Sequence, residues 1–118
     1  NFVNLKTPLE LNEYHFIRES DIFKVMLSIN YNGNRIDHLA EGSGRLDAVS
    51  NALKQTLHLD YNLTNYFEHS LDSSSKAEAA AYVSIKLKDK EYWGCGIDDD
   101  IICASIHALV SAINNALK

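Results

Sequence analysis

The stretch FKVMLSINYNG, residues 23–33, decides the fold of this chain because it joins a strand to a tight turn. Its first nine residues alternate between apolar and mostly polar side chains, which is the period of a strand with one buried face. Asn32-Gly33 then predicts a hairpin turn, since asparagine and glycine adopt positive φ at little cost. We expect residues 35–40 to return as the partner strand and residues 14–18 to form a short strand before it.

A helix follows this hairpin. Gly42-Ser43-Gly44 marks the turn into it, with Ser43 as the expected N-cap. Between Arg45 and Leu57 the apolar residues recur at helical spacing and form one stripe. These residues are Leu46, Val49, Leu53 and Leu57. The first half of the chain therefore predicts three strands followed by one helix.

The second half repeats the same plan. An extended segment over 59–71 and a polar turn at 72–76 lead into an alternating strand over 79–87. Lys88-Asp89-Lys90 turns the chain, and a strand over 91–95 follows. Gly94-Cys95-Gly96 is then expected to lead into a helix over 100–117, with Asp98 to Asp100 supplying its cap.

The repeat predicts an α+β fold of two βββα-type units, in which antiparallel sheets carry the helices on one face. We assign residues 14–58 and 59–118 to the two units and residues 1–13, which hold the single proline, to a linker. A small sheet covered on one side leaves apolar surface to bury. A homodimer is therefore expected.

Composition narrows the function. The 118 residues are 46% hydrophobic and 23% charged, as in an ordinary globular domain, and carry a formal net charge of −5. That charge disfavours nucleic acid as the main partner. No apolar run approaches the roughly 20 residues that span a bilayer, and no secretory leader opens the sequence. The expected location is cytoplasmic, with no membrane partner.

Motifs for catalysis or metal binding are missing from the sequence. The five histidines lack HxxxH or HxH spacing, GxSxG is absent, and Cys95 and Cys103 form no CxxC pair. We expect both cysteines to be small buried residues. A hydrolase that uses Glu68, His69 or the three aspartates at 98–100 stays open as an alternative, although neighbouring side chains on a strand point to opposite faces.

One binding hypothesis arises from the residues themselves. Helix N-termini present unpaired backbone N–H groups that suit a carboxylate, and Asp98 and Asp100 beside them suit an ammonium. Apolar residues of both units could line a cavity between them. These are Leu46, Leu63, Ala77, Ala79 and Ile101. A free amino acid with a branched aliphatic side chain satisfies all three features.

Several spaced motifs, in order, carry a family resemblance. They are residues 42–48 (GSGRLDA), 65–69 (NYFEH), 76–83 (KAEAAAYV), 92–98 (YWGCGID) and 111–114 (SAIN). Together they resemble the C-terminal regulatory domain of the 2-isopropylmalate synthases, over nearly the whole chain. The resemblance implies a dimeric domain that binds L-leucine for feedback inhibition of leucine biosynthesis. It also implies a parent protein whose catalytic barrel, absent from this chain, condenses acetyl-CoA with 2-oxoisovalerate on a divalent metal.

The same resemblance implies an effector site and no catalytic, metal or cofactor residues in this fragment. The effector residues it implies are Leu46, Asp47, Leu63, Tyr66, Ser70, Ala77, Ala79, Asp98 and Ile101. The family usually has Gly-Asn-Gly-Pro where this chain has Gly42-Ser43-Gly44-Arg45, and a small residue at Asp47. Two alternatives therefore remain: an isoleucine-binding domain of a citramalate synthase, or a dimerisation module without an effector.

Overall fold

The computed structural model describes residues 8–73 and 76–117, with the side chains of residues 70–77 left out of the description. Its elements follow the order βββαβββα. They are β1 (Leu9–Glu19), β2 (Ile22–Tyr31), β3 (Asn34–Gly42), α1 (Arg45–Leu57), β4 (Asn62–Ser73), β5 (Lys76–Leu87), β6 (Lys90–Asp98) and α2 (Ile101–Leu117). The strands form two antiparallel sheets, ordered β1-β2-β3 and β4-β5-β6. The predicted α+β fold of two βββα units is confirmed.

The central strands and both helices form the core as their sequence periods predict. Val25, Leu27 and Ile29 on β2 are buried, and so are Val83 and Ile85 on β5. α1 packs on β2 and β3, while α2 packs on β5 and β6 and also reaches β1 and α1. Each sheet therefore buries one face under its own helix, and the two units share one continuous hydrophobic core.

The hairpin turns are tight, as predicted. Asn32 and Gly33 have φ values of 53° and 87°, which is the geometry that the right-handed twist of the strands favours. Lys88 and Asp89 adopt φ values of 52° and 67° at the corresponding turn of the second unit. The predicted polar turn at 72–76 is too long, because β4 and β5 continue until Ser73 pairs with Lys76. Residues 74–75 lie outside the described residues.

One expectation for the first unit needs correction. β1 begins at Leu9 rather than at residue 14, and Leu9 is a core residue with 1% of its surface exposed. Its backbone N–H donates to Asn114 Oδ1, and its carbonyl accepts from Asn114 Nδ2, both at 2.9 Å. Leu9 pairs with Tyr31 of β2, and the buried amide of α2 also bonds its backbone, which a reading of local sequence could not reveal.

The second glycine pair does not form a strand-to-helix turn, and this expectation is wrong. Gly94 and Gly96 lie within β6, with their missing side chains directed at α2. A Cβ on Gly94 would lie 2.2 Å from the Ala108 carbonyl oxygen, and one on Gly96 would lie 2.2 Å from that of Ala104. The helix backbone thus rests directly on the strand. Cys95, between them, faces outward and is exposed, so its predicted burial is wrong.

Among the described helices, neither is long and apolar enough to cross a membrane.

Candidate functional site

The first turn of α1 is capped from within the helix. Gly44 is the N-cap and provides no side-chain capping bond, so the expectation that Ser43 caps the helix is wrong. Instead, Asp47 Oδ2 accepts hydrogen bonds from the Ser43 N–H at 3.0 Å and from the Ser43 hydroxyl at 3.1 Å. The Asp47 carboxylate therefore holds the 42–44 loop against α1. Leu46, beside it, is half-buried against the core.

The first turn of α2 is capped by its own aspartates, as predicted. Asp100 Oδ1 accepts from the Ile102 N–H at 2.9 Å, and Asp98 Oδ1 accepts from the Asp100 N–H at 3.1 Å. A carboxylate at a helix N-terminus is favoured by the unpaired N–H groups and by the helix dipole. Ile101, the first residue of α2, is half-buried between these capping groups and the core.

Tyr66 connects the outer strand of the second sheet to α2. Its hydroxyl lies 2.8 Å from Ser105 Oγ, which in turn lies 2.7 Å from the Ile101 carbonyl oxygen. The Tyr66 hydroxyl also lies 2.6 Å from Glu68 Oε2. Burial, followed by the bond to Glu68, raises the pKa of the Tyr66 phenol above its ordinary value. The phenol therefore stays protonated, and its contact with Ser105 places Tyr66 beside the second turn of α2.

Ala79 and Asp98 meet at the same end of the second sheet. They pair across β5 and β6, and Ser70 pairs with Ala79 from β4, so these three predicted residues share one cross-strand row. The side chains of Ser70 and Ala77 lie outside the described side chains. Ala79 thus lies beside Asp98, three residues before α2 begins at Ile101, and Tyr66 contacts α2 one helical turn further along, at Ser105.

Leu63 lies apart from this group. It pairs with Ile85, six residues along β5 from Ala79, which corresponds to about 20 Å at the rise of a strand. A β-bulge between Leu63 and Asn65 puts Leu63 and Tyr66 on the same face of the sheet, although they are three positions apart in sequence. Without the bulge, this spacing would have put them on opposite faces.

The two helix starts share a hollow of about 400 Å³. Its described lining comes from β1, from the first residue of α1 and from the start of α2. These residues are Tyr14, Phe16, Arg45, Asp100, Ile102 and Cys103. None of the seven predicted effector residues with described side chains lines it, although Leu46 follows Arg45 and Ile101 lies between Asp100 and Ile102.

Tyr14 is the residue at this hollow that sequence reasoning missed. Its hydroxyl donates to Cys103 Sγ at 2.7 Å, and the Cys103 thiol lies 3.8 Å from Asp100 Oδ2. Burial, followed by the contact with Cys103, raises the pKa of the Tyr14 phenol, which therefore stays protonated. The available signal was the repeated spacing Leu11-x-x-Tyr14 and Leu63-x-x-Tyr66.

The residues of the hydrolase alternative do not form a catalytic pair. Glu68 pairs with Ala81 on the helix-facing side of the second sheet, whereas His69 pairs with Ala80 on the outer side. His69 is exposed and packs edge-on against Tyr82, with 5.9 Å between ring centroids. Within residues 8–73 and 76–117, no three His, Cys, Asp or Glu side chains are grouped to hold a metal ion.

Comparison with known proteins shows the family of this chain. The sequence is 40% identical over 118 residues to the 2-isopropylmalate synthase of Desulfitobacterium hafniense (strain Y51), covering 99% of this chain and 21% of that protein. It is 41% identical to the 2-isopropylmalate synthase of Helicobacter hepaticus (strain ATCC 51449 / 3B1), covering 99% of this chain and 22% of that protein. The chain therefore spans about a fifth of the length of the curated relatives that it matches. The sequence model of the LeuA allosteric (dimerisation) domain matches residues 3–117, and the chain belongs to that family.

Proposed function

We propose that this chain is the L-leucine-binding regulatory part of a 2-isopropylmalate synthase. The parent protein would condense acetyl-CoA with 2-oxoisovalerate on a divalent metal, in a catalytic domain that lies outside this chain. The observation that carries the proposal is that the Tyr66 hydroxyl contacts Ser105 on α2, whose hydroxyl bonds to the Ile101 carbonyl, while Ala79 pairs with Asp98 just before α2, within a chain of this family. Feedback inhibition would then be the response of the parent enzyme to leucine bound here.

Hydrogen-bond counting supports a polar ligand at Tyr66. The hydroxyls of Tyr66 and Ser105 supply two hydrogens, while three short contacts join them to each other, to Glu68 and to the Ile101 carbonyl. Because the Glu68 carboxylate and the Ile101 carbonyl have no hydrogen to donate, two hydrogens serve three contacts, and one contact is without a hydrogen at any moment. A ligand ammonium would supply the missing donor and form a charge-assisted bond. We expect the aliphatic side chain of the ligand to lie beside the small Ala79, which pairs with Asp98.

Regulation requires that leucine bind one conformation of the domain better than another, because a ligand with equal affinity for both shifts nothing. Coupling free energies of this kind are typically about 1–3 kcal/mol. The contact between Tyr66 and Ser105 joins a strand to a helix, so a ligand that breaks or strengthens it changes how β4 sits on α2. This is the movement we expect to be transmitted to the rest of the parent protein.

Calorimetric titration of the chain with L-leucine, L-isoleucine and L-valine tests the proposal. Leucine should bind with the highest affinity, since one methylene in an apolar pocket is worth roughly 1–3 kcal/mol. Tyr66→Phe should weaken leucine binding several-fold. The matched control is Tyr82→Phe, which removes a hydroxyl from the opposite face of the same sheet. Tighter binding of isoleucine would favour the citramalate synthase alternative, and no binding of any of the three would contradict the proposal.

The outer face of the second sheet supports homodimerisation. Four large apolar residues on this face are between 37% and 55% exposed, namely Phe67, Tyr82, Trp93 and Ile97. The rings of Phe67 and Trp93 stack with centroids 6.1 Å apart and planes 6° apart. We propose that a second copy covers this face, because contiguous exposed apolar patches mark interaction surfaces.

Light scattering on two matched variants tests this dimer. Phe67→Glu places a charge on the outer face of the second sheet and should yield a monomer. Leu39→Glu places the same charge on the outer face of the first sheet, where Leu39 is 50% exposed, and should leave the dimer intact. A dimer that persists in Phe67→Glu and dissociates in Leu39→Glu would assign the interface to the first sheet instead.

A further inference from the structure

The two units of the internal repeat meet at two junctions, and only one of these is covalent. β1 and β4 each carry a bulge near their start, after Leu11 and Leu63 respectively, so the two strands can be matched residue for residue. Two positions before these leucines lie Leu9 and Tyr61, and at most 1% of either residue is exposed. Residues 58–61 connect α1 to β4 and form the covalent junction. The other junction brings the end of α2 to Leu9 without a chain connection.

Each junction is closed by a buried polar side chain of its helix. In the covalent junction, the Ser50 hydroxyl of α1 lies 2.9 Å from the Tyr61 hydroxyl. In the other junction, the Asn114 amide of α2 bonds to both the N–H and the carbonyl of Leu9, each at 2.9 Å. A single side chain therefore closes the second junction in place of a loop.

The bulge gives the start of β1 a defined boundary. Residues 9–11, which we call the strap, pair with the end of β2, and the register shifts after them. Asn12, at the bulge, is held on β2 by its own side chain, which exchanges amide hydrogen bonds of 3.2 and 3.3 Å with Asn30. Beyond the bulge, the Tyr14 hydroxyl holds the strand to Cys103. The strap is therefore a short piece between a hinge at Asn12 and the contact with α2 at its start.

α2 carries the strap contact near one end and the tyrosine contacts near the other. Ser105, in its second turn, lies 2.8 Å from the Tyr66 hydroxyl. Asn114 follows nine residues later in the same continuous helix, about 14 Å further at a rise of 1.5 Å per residue. Helices in switching proteins shift by roughly 1–2 Å, and a shift of that size along the Asn114 bonds would lengthen both beyond hydrogen-bond range.

We propose that the strap is a conformational device, which opens at Asn114 while both units stay folded and whose opening is set by the position of α2. Opening breaks the two bonds to Leu9 and exposes that one buried side chain, whereas unfolding either unit exposes a helix and a sheet. In the parent protein proposed above, the linker to the catalytic domain would end at the strap, so its opening would release that linker. Control by an amino acid rests on the proposed function, but the opening itself does not.

Amide hydrogen exchange of the ¹⁵N-labelled chain, followed by NMR, tests the opening. The protection factor of the Leu9 N–H should be about tenfold or more below that of Val25 in the central strand β2. Low concentrations of urea should leave the exchange of Leu9 unchanged, since a local opening exposes little surface. If Leu9 were as protected as Val25, with the same dependence on urea, the strap would open only with global unfolding and the inference would be overturned.

Matched serine substitutions test whether α2 controls the strap. Ser105→Ala removes the partner of Tyr66 on α2, and Ser50→Ala removes the partner of Tyr61 on α1; both serines are buried. Ser105→Ala should change the protection of Leu9 about threefold or more, and Tyr66→Phe should act in the same direction. Ser50→Ala should leave Leu9 unchanged, because a local opening does not follow a general loss of stability. Equal effects of the two serine substitutions, or none from Ser105→Ala and Tyr66→Phe, would overturn control by α2.

L-Leucine separates this inference from the proposed function. Calorimetry shows whether leucine binds, and exchange then shows whether bound leucine changes the protection of Leu9 by about threefold or more, as we expect. If leucine binds and Leu9 is unaffected, the proposed function stands and the strap is not its regulatory device. If leucine does not bind, the proposed function fails, and the serine substitutions alone decide whether α2 controls the strap.

Discussion

Tyr14 and Tyr66 are equivalent residues of the two units, and both of their hydroxyls contact α2. Tyr14 meets Cys103 at 2.7 Å, and Tyr66 meets Ser105 at 2.8 Å. Because both tyrosines approach the same helix, the repeat is not symmetric in its contacts: α2 receives a strand from each unit, and α1 has a different environment. The first two turns of α2 therefore contact strands of both sheets.

The closeness of α2 to β6 predicts a large effect of Gly96→Ala. The added Cβ would lie 2.2 Å from the Ala104 carbonyl oxygen and 2.7 Å from the Ala108 backbone nitrogen, and backbone cannot rotate away as a side chain can. We expect the free energy of unfolding to fall by about 3 kcal/mol or more, measured by urea denaturation.

Gly44→Ala is the control for this substitution, because its Cβ would meet nothing within 4 Å. It should lower the free energy of unfolding by about 1 kcal/mol or less, the effect of alanine at an N-cap. If the two substitutions had equal effects, the close approach of helix and strand would not limit the residue at position 96.

Asn114 should be needed to hold β1 in place. Asn114→Asp keeps an acceptor for the Leu9 N–H but removes the donor to the Leu9 carbonyl, and it buries a charge. We expect a loss of roughly 2–3 kcal/mol of unfolding free energy at neutral pH. Asn115→Asp, at an exposed neighbouring position, should have less effect. Amide exchange along β1 would report the loss directly, and unchanged protection of β1 would contradict this role.

Tyr61 predicts an alkaline loss of stability. Burial raises the pKa of the Tyr61 phenol from 10.0 to about 12, which the hydrogen bond with Ser50 partly opposes. The folded state favours the neutral phenol. The contribution of Tyr61 to the free energy of unfolding is therefore fully present below pH 10 and is lost as the pH rises from 10 to 12. A shift of this size corresponds to roughly 2–3 kcal/mol.

Tyr61→Phe should therefore reduce the fall in unfolding free energy between pH 10 and pH 12. At neutral pH it should lower stability by about 1 kcal/mol, because the buried Ser50 hydroxyl loses its partner at 2.9 Å. Tyr82→Phe, on the outer face, is the control. An unchanged pH dependence in Tyr61→Phe would show that other groups cause the alkaline loss.

Asp47 should stabilise α1 through the bonds to Ser43. Asp47→Ala removes both of them together with a negative charge in the first turn, and we expect a loss of about 1 kcal/mol. Asp47→Asn keeps an acceptor and should lose less. Thermal unfolding followed by circular dichroism measures both. If the Asp47→Ala variant were as stable as the original protein, the bonds to Ser43 would not stabilise α1, contrary to this prediction.

Local sequence predicted the elements well where one face of a strand or helix is buried. The alternation along β2, the turn at Asn32-Gly33 and the apolar stripe of α1 each depend on neighbours within a few residues. The α1 helix begins at Arg45 and ends at Leu57 as expected. The resemblance to the regulatory domains of 2-isopropylmalate synthases was likewise readable, because its motifs are short and ordered along the chain.

The sequence by itself thus determined the two βββα units and the family, since periodicity and motif order are properties of the chain. Tertiary structure alone decided that Gly94 and Gly96 serve helix packing, that Leu9 is buried through Asn114, and that Tyr14 meets Cys103. The last two contacts join residues that are far apart in sequence, 105 positions for Leu9 and Asn114 and 89 for Tyr14 and Cys103. Their partners are selected by the packing of one unit on the other, which no local pattern encodes.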